Sequence, residues 1–196
     1  MNTVQPIRKT KDLQKLKEYY RVKEPNIRNE LLIITGLHTA LRISDILGIQ
    51  WDMVYDFNQK KYRSHILLTE QKTGKVSTIY LNQQIKKVLK KYEAQQRKNG
   101  SSLKPETYLF CHPERNMPIS RVQAYRIIKR AARESRLPGV VSCHSLRKTF
   151  GYHAWKQGVP PVMLMNIYNH SSYQITKRYL GIEQDDRDQI FQKIDL

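Results

Sequence analysis

The hydrophobic period changes twice along this chain, and that change limits what it can fold into. Between residues 26 and 41, Leu31, Leu32, Ile34, Leu37 and Leu41 recur at helical spacing, a stripe that asks to be buried. Leu13, Leu16 and Tyr20 predict an earlier helix over 11–20, and a short one over 43–47 stops at Gly48. From residue 51 the pattern shortens to β-rich runs at 51–55, 64–69 and 76–81. The last two flank Gln71-Lys72-Thr73-Gly74-Lys75, a hairpin signal. Helical spacing then returns, first in Ile85, Val88, Leu89 and Tyr92. A second helix runs from a Ser120 cap to about 136 with Ala124, Ile127, Ile128 and Ala131 on its apolar face. Helices over 144–155, 161–167, 171–180 and 184–194 complete the chain, with breaks at Gly100-Ser101-Ser102, Leu137-Pro138-Gly139 and Gly158-Val159-Pro160-Pro161. The expected fold is mainly α with a small antiparallel three-stranded β-sheet inserted early.

At 196 residues, 39% hydrophobic and 27% charged, the chain is long enough for one well-buried domain. Its 35 Lys+Arg against 17 Asp+Glu leave a net charge of +18, which points to a polyanion, in the simplest case nucleic acid. The surplus is concentrated. Residues 82–136 hold 14 basic and 4 acidic residues, whereas 183–196 hold 5 acidic and 2 basic. The middle therefore reads as a phosphate-facing surface and the tail as unsuited to DNA. On the helix after Ser120, Arg126, Arg130 and Arg133 lie opposite the apolar face, where they either track a phosphate backbone or form a solvated face; the overall charge favours the first. Cys111 and Cys143 lack zinc-ligand spacing and are expected as reduced thiols in a cytoplasmic protein. No apolar run approaches the ~20 residues of a membrane span, so no membrane partner is expected.

The chemistry lies in a few polar side chains. Arg42 and Arg147 offer planar, two-pronged donors suited to a phosphate. His144 and His170 exchange protons near neutrality. Tyr179 offers an oxygen nucleophile that stays protonated, at its ordinary pKa of about 10, unless neighbours assist it. His144 and Arg147, three residues apart on a helix, project from one face. Taken singly, each has a plainer reading: Tyr179 as a half-buried aromatic, Arg42 as the ion-pair partner of Asp45, and His144 with Arg147 as a helix-start histidine and a surface arginine. Taken together, they form a kit for attacking a phosphodiester and holding the product covalently. Two arginines supply the positive charge that a metal supplies elsewhere, and neither a Gly-x-x-x-x-Gly-Lys-Ser/Thr loop nor a carboxylate cluster accompanies them. No metal, ATP or other cofactor is therefore expected.

In order and spacing, Ala40-Leu41-Arg42-Ile43-Ser44-Asp45, Gln71-Lys72-Thr73-Gly74-Lys75, His144-Ser145-Leu146-Arg147 and His170-Ser171-Ser172 with Tyr179 resemble the motifs of the tyrosine recombinases, the phage integrase family. The resemblance spans roughly residues 26–180. It implies the DNA breaking-rejoining catalytic fold and a site-specific recombinase of integrase or invertase type, acting on double-stranded DNA through a 3′-phosphotyrosine. In that frame Tyr179 is the nucleophile, and Arg42 and Arg147 hold the two non-bridging oxygens of the scissile phosphate. His144 bonds the phosphate and accepts a proton, and His170 orients the phosphate or leaving group. Lys72 is the general acid for the 5′-oxygen, with Lys75 as its competitor. Asp45 steadies Arg42 from behind.

Two departures mark this chain. Tyr168-Asn169 stands where the family usually has Leu-Gly before its second histidine, and Ala40 where it often has Gly. Only about 25 residues precede the catalytic region, too few for the family's helical core-binding domain, so residues 1–182 are read as a catalytic domain standing alone, the short form, and 183–196 as a tail. The tail's Ile190, Phe191, Ile194 and Leu196 either dock on a neighbouring protomer in a DNA-bound homo-tetramer or pack on their own domain. Accessory DNA-bending proteins are further expected partners. Two other readings stay open: a type IB topoisomerase, which shares the chemistry but acts alone on almost any duplex, and a non-catalytic DNA-binding accessory protein, which would be expected to lack Arg42, Arg147 or Tyr179.

Overall fold

A computed structural model of the chain describes residues 4–100, 103–112, 115–182, 188, 191, 192 and 194. Its centre is helix α2 (Ile27–Thr39), which starts where the Asn26 side chain accepts from the Asn29 N–H at 3.1 Å. Leu31, Leu32, Ile33, Ile34 and Leu37 are all buried, so this helix is apolar well beyond one stripe. Helices α1 (Thr10–Glu18), α5 (Gln83–Lys98) and α7 (Cys143–Lys156) pack around it. The α1 helix widens into a π-helical turn at Tyr19–Lys23, which buries Tyr19 and Tyr20 against the core. The approach of α2 to α7 requires a glycine: a Cβ on Gly36 would lie 2.7 Å from Leu146 Cδ1.

The mainly helical expectation holds, but the sheet differs from it. Strands β3 (His65–Thr69) and β4 (Val76–Tyr80) form the predicted hairpin, with Leu67 opposite Thr78. The predicted strand at 51–55 is mostly helix α4 (Trp51–Val54), and only Tyr55 belongs to a strand, β1 (Tyr55–Asp56), paired with β2 (Lys61–Tyr62). A third pair joins β5 (Cys111–His112) to β6 (Arg115–Pro118). Among the described residues there are thus three two-stranded ribbons in place of one three-stranded sheet. The reason is long-range. Trp51 and Asp52 donate their N–H groups to the Thr107 and Pro105 carbonyls, which satisfies the start of a helical turn and lets Trp51 and Val54 share one buried face.

Helix α6 (Arg121–Glu134) is capped as expected, Ser120 Oγ accepting from the Gln123 N–H. Of its basic stripe, Arg130 pairs with Glu24 and Arg133 with Glu134, leaving less of it for a phosphate backbone than the spacing suggests. Helices α3 (Ile43–Leu47), α8 (Pro161–Tyr168) and α9 (Tyr173–Leu180) fall where the sequence placed them. α8 and α9 form a small second core on α7, of Ala40, Tyr152, Leu164, Tyr168, Leu180 and Ile182. A segment ahead of α1 straps this unit down. Ile7 donates its N–H to Thr149 Oγ1 at 2.8 Å, Lys148 Nζ donates to the Val4 carbonyl at 2.8 Å, and Arg8 reaches the Gly181 carbonyl. The predicted helix over 184–194 lies largely outside the described residues; of the tail's apolar side chains, Phe191 and Ile194 are exposed. No helix among the described residues is long and apolar enough to cross a membrane.

Candidate active site

The α2 helix ends on Ala40 in the left-handed conformation, φ +55°, a conformation that glycine adopts without strain. The chain then turns sharply and presents Arg42 as the residue capping α3. Its guanidinium forms a short ion pair with the buried Glu70, in the turn of the β3–β4 hairpin. Glu70 also accepts from Ser77 Oγ at 2.9 Å and Thr73 Oγ1 at 3.2 Å. Burial pushes its carboxyl pKa up, but these hydroxyls and the Arg42 guanidinium outweigh it and hold the group below its ordinary value. The expected support of Arg42 by Asp45 is therefore corrected. Asp45 Oδ1 accepts from the Gln71 N–H at 2.9 Å, so it fastens the hairpin, and Glu70 holds the arginine. The hairpin folds back across α3, an encounter that spacing within one helix cannot reveal.

Lys72 and Lys75 occupy the hairpin turn, which Gly74 closes with φ +66°. Lys75 Nζ donates to the Asn166 carbonyl on α8 at 3.0 Å, tying the hairpin to the second core. Lys72 is exposed, and its charge acts on His144.

His144 stands in the first turn of α7. Burial, and then the charges of Arg147, Lys148, Arg42 and Lys72, lower its pKa from 6.5. Four cations from three separate elements thus converge on one neutral imidazole. Arg147, one turn along, is buried, and its guanidinium carbon sits 4.9 Å from the centroid of the Tyr168 ring. Its charge also reaches Tyr179 and lowers the pKa of that hydroxyl.

Asn169 ends α8 in the left-handed conformation, φ +56°, which asparagine adopts more readily than most residues other than glycine. His170 follows, with Nδ1 3.0 Å from Thr176 Oγ1 and its ring centroid 5.2 Å from that of Tyr179. Burial, Arg147 and Arg42 lower its pKa. Tyr179 is half-buried on α9, with Lys148 Nζ 5.0 Å from its ring. Burial raises its pKa, while the cations Arg147 and Arg42 pull it down.

Arg42, His144, Arg147, His170 and Tyr179 therefore converge from α3, α7, α9 and the α8–α9 turn, with Lys72 within electrostatic reach. Sequence reasoning missed Glu70, Lys148, Thr176 and the packing of Tyr168 against Arg147. Glu70 lies two residues before Lys72, and Tyr168 was visible as a departure from the motif.

The fold and this cluster define a DNA breaking-rejoining catalytic domain. The chain matches the phage integrase family over residues 9–185 and belongs to it; it is an enzyme of the tyrosine recombinase type. It is 40% identical over 185 residues to the probable integrase/recombinase YoeC of Bacillus subtilis strain 168, covering 94% of this chain and 93% of that one. It is 24% identical over 160 residues to the tyrosine recombinase XerD of Corynebacterium glutamicum, covering 82% of this chain but only half of XerD. Among solved structures, the XerA recombinase superposes with a TM-score of 0.75 at 18% identity, over 99% of this chain and 67% of XerA. The XerH site-specific recombinase, bound to its palindromic difH substrate, gives 0.71 at 20% identity over 91% of this chain and 50% of XerH. These two structures establish the fold.

Proposed function

We propose that this recombinase cleaves double-stranded DNA by attack of the Tyr179 hydroxyl on a scissile phosphate. A bond forms from Tyr179 Oη to phosphorus, and the bond to the 5′-oxygen breaks. The phenolic proton passes to His144, kept neutral and ready to accept it by burial and four cations. Lys72 delivers a proton to the departing 5′-oxygen. Arg42 and Arg147 hold the two non-bridging oxygens as charge builds in the pentavalent transition state, and His170 orients the phosphate or the leaving group. The 3′-phosphotyrosine conserves the bond energy, so attack by a new 5′-hydroxyl rejoins strands without ATP. The observation that carries this reading is the gathering of buried Arg147, His170 and Lys148 around the half-buried Tyr179, with the His170 and Tyr179 ring centroids 5.2 Å apart.

DNA binding is supported by the charge of +18 and by relatives solved on DNA, among them XerH on difH. Recombination joins two duplexes, and four protomers supply one nucleophile per strand, so a homo-tetramer on DNA is the assembly proposed, with DNA-bending accessory proteins as further partners and the cytoplasm as its place of action. Residues 183–196 act as a tail that docks on a neighbouring protomer; deletion from residue 186 onward is expected to abolish joining and spare monomer folding, and normal joining by the deletion would overturn this.

The test of the reaction is covalent capture: incubate the protein with genomic DNA, denature, precipitate the protein, and sequence the attached DNA. Adducts at one or a few sites, absent with Tyr179→Phe, are expected. Adducts spread over all sequences would favour a topoisomerase, and adducts persisting in Tyr179→Phe would move the nucleophile to Tyr168 or Tyr173.

A further inference from the structure

Tyr168 occupies a position no step of the proposed reaction uses, yet it touches three of the site's side chains: Arg147, His170 and Tyr179. It is fully buried at the end of α8. Its hydroxyl donates to the Arg147 carbonyl at 2.7 Å, and the guanidinium of the same arginine lies over its ring. The ring centroid stands 5.4 Å from that of Tyr179 and 5.5 Å from that of His170, the latter nearly parallel at 24°. Room for it is made on α7, where a Cβ on Gly151 would fall 2.5 Å from the Tyr168 hydroxyl. The leucine usual at this place in the motif has neither a hydroxyl nor a π-face.

We infer that Tyr168 is a positioning residue that fixes Arg147 toward the scissile phosphate at both its backbone and its guanidinium, without neutralising it. An arginine buried this deeply needs a partner. A carboxylate would cancel the charge meant for the phosphate, whereas a ring face attracts the guanidinium through its quadrupole and leaves its net charge of one intact. The edges of the guanidinium stay available for the Tyr179 hydroxyl and for oxygen of a phosphate. Tyr168 thus determines how well the charge clamp is aimed, and its removal weakens the transition state more than the binding of DNA.

This inference rests on the proposed roles of Arg147 and Tyr179, and its test separates the two. The probe is a random-sequence pool of duplex oligonucleotides, from which covalent capture by the wild-type protein selects a cleaved sequence. That sequence is then made with an ordinary phosphate, or with a methylphosphonate, at the scissile position. Methylphosphonate removes one negative charge and with it most of the need for a well-aimed second arginine. Tyr168→Leu is expected to slow single-turnover cleavage of the phosphate about tenfold, the size of a lost desolvated cation–π contact, with DNA affinity within about twofold. On the methylphosphonate the deficit is expected to shrink to about twofold. Tyr168→Phe, which keeps the ring, is expected to regain most of the loss. An equal deficit on both substrates, or no deficit, overturns the positioning role. If Tyr168→Leu does not fold, Tyr168→Met, unbranched and better able to fill the space but likewise without a ring, is read on the same two substrates: a larger deficit on the phosphate supports the role, and an equal or absent one overturns it. Without DNA, the Arg147 Nε–H proton resonance, assigned by its loss in Arg147→Lys, is expected to be ring-shifted in the wild type and displaced in Tyr168→Leu; no displacement overturns the contact. Cleavage surviving in Tyr179→Phe, or no capture by the wild type, would instead overturn the reading of the reaction itself.

Discussion

Glu70 and Arg42 form an ion pair between the turn of the β3–β4 hairpin and the start of α3, whereas among the described residues no carboxylate pairs with Arg147, whose guanidinium lies over the Tyr168 ring. The pair joins the turn carrying Lys72 to one arm of the phosphate clamp, since Glu70 also accepts from Thr73 and Ser77 in the same hairpin. Its carboxyl lies below the ordinary 4.5 in the folded state. A lowered carboxyl pKa gives stability that is present above the unfolded value and is lost as pH falls through the folded one. Glu70→Ala is accordingly expected to cost about 1–3 kcal/mol at pH 7, because two hydroxyls and the part-buried Arg42 guanidinium lose their acceptor. The difference from wild type should narrow as the pH falls to about 3, read by urea unfolding at each pH.

The two hairpin lysines should separate cleanly. Lys75 is occupied by the Asn166 carbonyl, and Lys72 faces the cationic cluster around His144. Lys72→Ala is expected to slow cleavage about 100-fold or more and to be largely rescued by a 5′-thiol leaving group, which scarcely needs an acid. Lys75→Ala should slow it only a few-fold, by loosening the hairpin, with no such rescue. Rescue of Lys75→Ala alone would exchange the two assignments, in single-turnover assays on paired substrates.

His144 and His170 are both expected to be neutral at pH 7. Burial and neighbouring cations lower each from 6.5, as burial and Lys17 lower His38. For a histidine with a lowered folded pKa, the unfolded chain takes up protons first as the pH drops, so stability falls below about pH 6.5. The melting temperature should decline from pH 7 to about 5, and less steeply in His144→Gln. Titration of the histidine ring protons by NMR should give midpoints below 6.5 for both site histidines; a midpoint above it for His144 would remove its case as proton acceptor.

Two small residues near the clamp should respond in opposite senses. Ala40→Gly relieves a left-handed alanine, φ +55°, and is expected to stabilise the protein by about 1 kcal/mol. Gly151→Ala puts a methyl group 2.5 Å from the Tyr168 hydroxyl and 2.6 Å from Leu180 Cδ2, and is expected to cost about 1–3 kcal/mol. Thermal unfolding of both variants checks the pair, and cleavage by Gly151→Ala should fall because α9 carries Tyr179.

The sequence by itself determined most of the helices and the central hairpin, and it put the candidate reactive groups in view. Helix α3 at 43–47, the Ser120 cap, the β3–β4 hairpin and the five converging side chains are legible because caps, turns and apolar period act over a few residues. The six candidate site residues can be named because each sits in a short local motif that resembles one of the tyrosine recombinases. Tertiary structure alone decided their supports. Trp51–Val54 became a helix because the Thr107 and Pro105 carbonyls reach its N–H groups from more than fifty residues away. Glu70 displaced Asp45 as the partner of Arg42 because the hairpin folds across α3, and Tyr168 met Arg147 because Gly151 lets α8 close on α7. Local period fixes which face a residue takes; which charge or ring it meets there depends on packing between distant segments, and no spacing within one segment encodes that distance.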